Sequence, residues 1–550
     1  MKEAEALIRQ WKDDSHIEYP DFDKMWERIR ERSKSEVQSE SVKAVHRPVP
    51  RKWFVAASLA AVLTATPVFA AINWEYLLPG RTGVQSALQQ GLGQTIEKSV
   101  THDGVTLTLH TAVVDENRTV ILYSLESGQE TFDRNKQWRF AKMQLQDDKG
   151  RPIEGNYSHR WDEQSGKLTG YFETDWNPEG TEANVRFSAQ TLQILSTEKQ
   201  PLSLNPLNED IQTFDIDQDG IRQLKVQAFA QDEDKVTLAS AVSYSLPEAK
   251  DWAYPRIEIT KEGKRVKESG VSVFGTPDGE GEYTNEQHFR LNDLQGGTAT
   301  YKLSYYREEQ RLDNEWNMEL ELDKSLMQNS TITRKLNIPI ELPNGDITLE
   351  EMVVTPTQVR ITASHVRRFM IPQYVHYSLD VNGVKLRGGI GYDRDKPNKP
   401  TFRFELPPHV RIEEDTPVTL VGKYEIVFRG GGSESYRLTG ISGEKKSFMD
   451  EVNGYPVKWT YYMKGNDLYV ETESADRTFG GINQTYQLKK DGKRLYGKPV
   501  TANIMGDGNN RAVDVYPDFK GTDAEIYVWR YSIDSPDKEM RVPIELRVSK

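Results

Sequence analysis

The sequence predicts a mainly β protein with a short N-terminal helical segment, one transmembrane helix and tandem immunoglobulin-like β-sandwich modules. Three observations support this fold class. Residues 1–52 place apolar residues at helical spacing, residues 53–72 carry no charge, and the chain beyond them alternates apolar and polar residues in short runs. A period of 3.6 indicates a helix, a period of 2 indicates a strand, and an uncharged run of this length matches the hydrocarbon thickness of a bilayer.

Two short amphipathic patterns lie within the cytosolic segment predicted over residues 1–52, and a polar tether over residues 33–50 follows them. Both patterns place apolar residues at i, i+3, i+4 and i+7: Ala4, Leu7, Ile8 and Trp11 in the first, and Phe22, Met25, Trp26 and Ile29 in the second. Two helices of this size are too small to bury a core. We therefore predict that the second stripe binds a partner protein. Two alternatives stay open: the stripe packs on the first one as a helical hairpin, or it lies on a membrane surface.

The uncharged run over residues 53–72 is predicted to be a transmembrane helix. The segment from Ser41 to Lys52 contains basic residues and no acid, and the first charge after the run is Glu75. Basic residues stay on the cytoplasmic side. The prediction is a single-pass protein of the cell membrane with a cytoplasmic N-terminus and the C-terminal bulk outside. Five residues are placed as anchors in the lipid bilayer surface: Arg51, Lys52, Trp53, Trp74 and Tyr76.

A cleaved signal peptide is the alternative interpretation of the same run. Val68, Phe69 and Ala70 form a small-residue cleavage pattern before Ala71, and Pro67 is a helix breaker of the kind that precedes such sites. However, more than fifty residues precede the run, whereas the basic region of a signal peptide is short. Retention is therefore the favoured interpretation. A buried core helix is the third one.

Beyond the run, residues 73–89 are predicted to be a linker with little structure of its own. Four hairpin patterns follow, beginning at residues 103, 219, 345 and 454. The first reads "DGVTLTLHTAVVDENRTVILYSL", with a polar turn between two alternating runs. This spacing is the size of an immunoglobulin-like sandwich. Predicted modules therefore span residues 90–205, 206–342, 343–447 and 448–550, and the similar stretches "LNIPIELP" (336–343) and "MRVPIEL" (540–546) are expected to close the second and the fourth.

Composition excludes several classes of function. Of the 71 basic and 84 acidic residues, 59 and 73 lie beyond the uncharged run, and this acidic balance argues against a nucleic-acid partner. The chain has no cysteine, which excludes disulfides, thiolate metal sites and cysteine nucleophiles. No serine-hydrolase elbow, zinc-protease motif, phosphate-binding loop or dinucleotide fingerprint is present. We predict no enzyme and no cofactor.

One acidic cluster is a weak calcium candidate. Asp215, Asp217 and Asp219 precede Gly220 in "DIDQDG", which is how a calcium-binding loop begins. A complete EF-hand loop needs a glutamate at its twelfth position, and Val226 stands there. We expect an ordinary turn and no tight metal site.

The order of segments, together with "YPDFDKMWERIRER" (19–32), the span and the hairpin at 103–125, resembles a bacterial family of single-pass membrane proteins. These proteins carry a domain of unknown function just beyond the span and are commonly taken for anti-sigma factors of extracytoplasmic-function sigma factors. The stretch "GDITLEEMVVTPTQVRIT" (345–362) is similar to a second uncharacterised domain that accompanies it. Better-understood anti-sigma factors bind zinc through a histidine and paired cysteines, and that domain type is absent from a chain without cysteine.

The resemblance implies a sigma factor as the cytosolic partner and an unknown envelope ligand as the signal outside. The expected function is thus a membrane-anchored anti-sigma factor with outer β modules as the sensor. The alternative, from a different class, is a cell-surface β-sandwich protein, anchored or secreted, that binds wall polymer or a protein partner.

Overall fold

The structure is a computed structural model that describes residues 77–128, 133, 135–231, 235–269, 273–275, 282–294, 299–366, 373–392, 396–501 and 510–545. Most of these residues lie in strands, which confirms the mainly β class. The helical segment 1–52, the predicted span 53–72, the stripe of Phe22, Met25, Trp26 and Ile29, and the anchors Arg51, Lys52, Trp53, Trp74 and Tyr76 lie outside the described residues. Within the described ranges, no helix is both long and apolar enough to cross a bilayer.

Residues 77–89 fold as part of the β unit, which corrects the prediction of a linker with little structure. Helix α1 (Thr82–Gln89) presents Val84 and Ala87 to a small core. Leu77 and Leu78 are buried in the same core, against Val113, Val120, Leu122, Tyr171 and Met327. The proline and glycine of "LLPGRTGV" suggest a loop, yet Val84, Ala87 and Leu88 stand at i, i+3 and i+4 and form one apolar face. A single short helix of this kind needs a neighbouring sheet to become stable.

The first half of the unit contains, besides α1, 16 strands, one short α-helix and one 3-10 turn in its described part. The strands are β1 (Gln94–His102), β2 (Val105–Val114), β3 (Thr119–Ser127), β4 (Gln137–Gln146), β5 (Pro152–Glu154), β6 (Asn156–Asp162), β7 (Lys167–Thr174), β8 (Glu182–Leu202), β9 (Gln212–Gln218), β10 (Ile221–Gln231), β11 (Lys235–Tyr244), β12 (Arg256–Lys261), β13 (Lys264–Arg265), β14 (Val273–Gly275), β15 (Tyr283–Arg290) and β16 (Ala299–Asp323), with a 3-10 turn (Pro247–Asp251) and α2 (Leu291–Leu294) between them.

Two cores in this half share one sheet. Sheet β1-β2-β3-β7-β6 and sheet β14-β15-β11-β10-β9 both pack on the sheet β13-β12-β16-β8-β4-β5. Strands β8 and β16 are 21 and 25 residues long and pair along almost their whole length. The first core contains the early part of β8 and the late part of β16, including Phe187, Trp316 and Met318. The second core contains the other ends of the same two strands, including Leu202 and Tyr301. We call these cores, with their strands, the first and second modules.

The second half also has one long strand pair, but its described strands form two sheets, whereas those of the first half form three. The second half contains the following elements. They are α3 (Ser325–Gln328), β17 (Ile332–Ile340), β18 (Ile347–Val354), β19 (Gln358–His365), β20 (Tyr374–Val381), β21 (Val384–Gly391), β22 (Thr401–Glu405), β23 (Val418–Gly430), β24 (Ser435–Thr439), β25 (Lys446–Val452), β26 (Tyr455–Lys464), β27 (Asp467–Glu473), β28 (Phe479–Leu488), β29 (Arg494–Tyr496), β30 (Lys498–Thr501), β31 (Ala512–Tyr516) and β32 (Asp523–Ile544).

Strands β23 and β32 are the long pair of this half. They belong to the sheet β17-β18-β19-β22-β21-β20-β23-β32-β28-β29, in which β24 also pairs with β32, and the sheet β25-β26-β27-β31-β30 lies beside it. Val418, Leu420 and Ile544 enter one core, and Ile526 and Val528 enter another. These cores and their strands are the third and fourth modules.

The four hairpins predicted from the sequence are all present, as β2–β3, β10–β11, β18–β19 and β26–β27. The expectation that "LNIPIELP" closes the second module is wrong. Strand β17, which contains most of it, pairs with β18, and Ile340 lies in the third core. The strand that closes the second core is β16. Alternation shows which face of a strand is buried, but it does not identify the neighbouring strand.

The second and fourth modules meet through apolar side chains. Phe229 of β10 packs with Tyr462, Tyr469, Val513 and Val515 of the fourth module. At the edge of this patch, Lys464 forms an ion pair with Asp210 at 3.2 Å.

A buried carboxyl group in the fourth module predicts a pH-dependent stability. Asp514 is 3% exposed and accepts hydrogen bonds from the backbone N–H and the hydroxyl of Thr485, each at 2.6 Å. Burial raises its pKa to about 6, against the partial opposition of these hydrogen bonds. The folded state therefore binds a proton more tightly than the unfolded chain does. Stability from this group is present below the unfolded pKa and is lost as pH rises through about 6.

We expect Asp514→Asn to remove this pH dependence, because the amide stays neutral while its oxygen accepts the same two hydrogen bonds. At pH 8 the variant should be more stable by about 3 kcal/mol, the free energy of ionising a carboxyl group whose pKa is about 6 in the folded state and has its ordinary value in the unfolded chain. Calorimetric unfolding between pH 4 and pH 8 measures this, with Asp518→Asn, an exposed carboxylate in the turn after β31, as the matched control. If the free energy of unfolding varies with pH in the same way in the unaltered chain and in Asp514→Asn, Asp514 is not the source of the pH dependence.

Candidate functional site

Two of the predicted hairpin turns meet where the first and third modules touch. The β2–β3 turn contributes Asp115 and Asn117, and the β18–β19 turn contributes Thr355 and Thr357; all four are at most 1% exposed. Asn117 donates to the carbonyls of Val353 at 3.1 Å and Gln358 at 3.0 Å, and Thr357 donates to Asp115 at 2.5 Å. Buried polar groups are stable only when they are hydrogen-bonded. Each turn therefore supplies the partners that the other one needs.

Arg118 lies at the centre of this contact and is 2% exposed. Its Nη1 donates to Glu405 at 2.6 Å and to Glu173 at 2.9 Å, and its Nη2 donates to the other oxygen of Glu405 at 2.9 Å and to the carbonyl of Thr357 at 3.1 Å. Burial opposes its charged form, but Glu405 and Glu173 hold the pKa of the guanidinium above its ordinary value. The planar fork of arginine suits this two-carboxylate arrangement. Glu173 belongs to the first module and Glu405 to the third, so the guanidinium of Arg118 joins the two modules.

Helix α1 is fixed to the same contact. Arg81, the residue before the helix, pairs with Glu173 at 2.6 Å, and the backbone N–H of Gly83 donates to Glu405 at 3.2 Å. A side chain at Gly83 would place its Cβ 1.7 Å from the carbonyl oxygen of Thr357, so only glycine permits this approach. Burial would raise the pKa of Glu173, but Arg118 and Arg81 hold it below the ordinary value. A movement of either module would therefore displace the residues at the start of α1.

A large cleft of about 1640 Å³ opens beside this contact, between the β5–β7 edge of the first module and the β17, β18, β19 and β22 strands of the third. Its lining is strongly polar. The basic side chains are Arg81, Lys335, Arg360, Lys396, Lys399 and Arg403. The carboxylates are Glu154, Glu173, Asp175, Glu350 and Glu351. A concave, charged surface between two modules is where a hydrophilic ligand would bind, and we take this cleft as the candidate functional site.

The calcium candidate residues are not brought together as a metal centre. Asp215 accepts from Gln223 at 2.8 Å, and Asp219 accepts from the hydroxyl of Tyr305 at 2.9 Å. Asp217 is exposed at the end of β9, and Gly220 takes a positive φ of 83° in the tight β9–β10 turn. Throughout the described ranges, no group of three or more acidic or histidine side chains is placed to hold a metal ion.

Sequence reasoning missed the residues that form the site. Arg118, Arg360, Arg403 and Glu405 lie in or beside ordinary β hairpins, where a charged residue on an alternating strand indicates only a solvent face. The polar turns were visible as turns. That the first and third of them face each other depends on contacts between residues more than 230 positions apart.

Comparison with known proteins gives one family match. Residues 46–127 match DUF4179, a domain of unknown function. The matched segment runs from the predicted tether through the predicted span to the end of β3. The expected link to a domain of unknown function is confirmed in this form, although the match begins before the predicted span.

Similarity to solved structures is distant, and three chains match. One of them is the crystal structure of the conserved domain protein from Bacillus anthracis, which is 10% identical; the alignment covers 81% of this chain and 94% of that one, with a TM-score of 0.33. A similarity at this level supports no inference about function. Among curated proteins, none matches the chain.

We expect Arg118→Met to destabilise the β unit by about 3 kcal/mol, because it leaves the half-buried Glu405 without its cation and Glu173 with Arg81 alone. Calorimetric unfolding measures the effect. The control is Arg186→Met, which breaks an ion pair with Glu319 whose side chains are 52% and 69% exposed. That change should cost less than about 1 kcal/mol. If the two variants unfold alike, Arg118 does not join the modules as described.

Proposed function

We propose that this chain is a membrane-anchored regulator, an anti-sigma factor that holds a sigma factor through residues 1–52 and senses an envelope signal with its β unit. The observation that carries the proposal is the uncharged run at 53–72 with its acid-free basic flank, placed between an amphipathic segment and a large acidic unit. Such a run stays in the bilayer with its basic flank inside. The DUF4179 match adds support, because cleavage after Ala70 would divide the matched segment 46–127.

The β unit suits a sensor that passes a signal towards the span. Helix α1 begins ten residues after the proposed span ends, at Thr82, and its start is held by carboxylates from the first and third modules. A ligand in the adjoining cleft would act on the same two modules. A cell-surface protein that binds wall polymer or a partner is the second candidate, and the cleft is the feature that favours it.

Retention in the membrane is the first test. We expect the full chain to stay in the membrane fraction after carbonate extraction and to keep its N-terminal residues. A control with Leu63→Arg and Thr64→Lys places two charges at the centre of the span, at a cost of about 3 kcal/mol each, and should not insert. Recovery of the unaltered protein from the medium, with an N-terminus at Ala71, would show that the span is a signal peptide.

Capture of a sigma factor is the second test. The stripe of Phe22, Met25, Trp26 and Ile29 would lie in a groove of the partner, as amphipathic helices commonly do, and tryptophan is the residue type that most often dominates such contacts. We expect Trp26→Ala to weaken binding about thirtyfold, equivalent to about 2 kcal/mol.

The matched control for this test is Trp11→Ala, which removes the same side chain from the first amphipathic pattern. A weak effect of Trp11→Ala beside a strong effect of Trp26→Ala supports the second stripe as the binding surface. Equal losses would indicate that the two helices pack on each other. If the unaltered segment, Trp26→Ala and Trp11→Ala all retain the sigma factor equally, the second stripe is not the binding surface.

A further inference from the structure

Two arginines face each other on neighbouring strands in the wall of the cleft. Arg360 of β19 and Arg403 of β22 are direct partners in the antiparallel register, so their side chains lie on the same face of the sheet. Like charges in this position destabilise a sheet unless an opposite charge compensates them. The contact between the modules supplies only part of that compensation.

The compensation of the two guanidinium groups is unequal. Arg403 forms an ion pair with Asp175 at 2.6 Å, whereas Arg360 donates to the carbonyl of Glu116 at 3.1 Å. Over the part of the chain that the structure describes, no carboxylate lies within 4.0 Å of the Arg360 guanidinium, and the Nε of each arginine is buried without an acceptor. Burial lowers the pKa of Arg360, and Arg403 lowers it further, against the opposing effect of Asp175. An arginine remains charged at neutral pH, so the repulsion persists.

The neighbouring strand leaves the space above these groups open. Gly389 of β21 pairs with Arg403, and a Cβ built on Gly389 would meet no atom within 4 Å. Gly391 comes two residues later, and a Cβ there would lie 3.7 Å from Arg403 Cζ, at ordinary contact distance. A larger side chain at either position would cover the sheet face beside Arg403. The glycines keep it accessible from the cleft.

Two further cations at the cleft carry no ion pair within the described residues. They are Lys335 of β17 and Lys396, whereas Lys399 is paired with Glu350 at 3.2 Å. Lys335 stands opposite Glu351 across β17 and β18, and the cleft lining as a whole holds six basic side chains and five carboxylates. In a protein with a net charge of −13, this excess of basic groups and the three cations outside ion pairs mark the cleft as a place for an anion. The volume of about 1640 Å³ exceeds the range of about 300–1,000 Å³ that is typical of small-molecule pockets.

We propose that this cleft binds an extended hydrophilic anion, a carboxylate- or phosphate-bearing polyhydroxyl chain, with Arg360 and Arg403 on one anionic group and Lys335 and Lys396 on another. Guanidinium forks match the paired oxygens of both groups, and lysines serve as point charges for either. The polar lining offers hydroxyls and amides for sugar or glycerol hydroxyls and little apolar surface. This site would bind the ligand of the proposed sensor. Binding of the anion is independent of the anti-sigma proposal, and only the role of the bound anion in signalling rests on that proposed function.

The bound anion would act on the joint beside it. Arg403 and Glu405 stand two residues apart on β22 and share a face, and Glu405 holds both Arg118 and the N–H of Gly83. An anion on Arg403 competes with Asp175 of the first module. Binding would therefore weaken the contact between the two modules next to the start of α1.

Calorimetric titration of the full chain, purified in detergent, tests the site. The probes are a glycerol phosphate oligomer and a trigalacturonate, so that the two arms distinguish phosphate from carboxylate, with inorganic phosphate as the small probe. We expect one oligomer to bind and its affinity to fall with salt. Arg360→Gln and Arg403→Gln should each weaken it about tenfold or more, since a charge-assisted bidentate contact is lost. Arg437→Gln, an exposed position on β24, is the matched control and should leave binding unchanged.

A second variant guards against misfolding. Thr401→Glu adds a carboxylate two residues from Arg403 on the same face and keeps every arginine contact with the first module. It should abolish anion binding while the unfolding temperature stays the same or rises. Failure of both oligomers to bind the unaltered chain, or equal affinities in the unaltered, Arg360→Gln and Thr401→Glu proteins, would overturn the site. Capture of a sigma factor by residues 1–52 is scored separately, so each proposal can fail without the other.

Discussion

The buried cation Arg118 sets the relation between the first and third modules, and the cleft and the position of α1 depend on it. Its donors are taken up by Glu173, Glu405 and Thr357, which no single module provides. Ionised groups in a low-dielectric interior are stable only as a set, because removing one leaves the others desolvated and unpaired. The segments that carry Glu173, Glu405 and Thr357 must therefore all be in place for Arg118 to be buried. This requirement fixes the approach of the two modules more strictly than shape alone would.

The two contacts between the halves differ in character. The second and fourth modules meet through a central apolar patch of Phe229, Tyr462 and Tyr469, with the ion pairs Lys464–Asp210 and Lys445–Glu209 beside it. The first and third modules meet mainly through charges and a solvent-accessible cleft. The strength of apolar packing depends little on the concentration of salt or of charged ligands. Charged contacts near water respond to salt and to competing ligands. One contact thus acts as a fixed attachment, while the other is the place where a charged ligand can shift the equilibrium between arrangements.

The sequence predicted the elements of this fold better than their assembly. Alternating runs identified all four central hairpins, because period 2 follows directly from strand geometry. The same signal assigned "LNIPIELP" to the wrong module, since strand pairing depends on residues far along the chain. Helix α1 was missed because a short apolar face after a proline and a glycine resembles a loop until a sheet covers it. Arg118 gave no signal at all: its turn, "DENR", reads as an exposed hairpin end, and its burial depends on a second turn more than 230 residues away.

The long strands carry a consequence for how such a chain changes over evolutionary time. Each of β8, β16 and β32 contributes one end to one core and the other end to the next, so no module has a complete set of strands of its own. A single module could not be copied, deleted or exchanged without opening its neighbour's interior. Both halves contain one long antiparallel pair that links two cores, although the strands around it form three sheets in the first half and two in the second. The smallest inheritable block is therefore the coupled pair of modules.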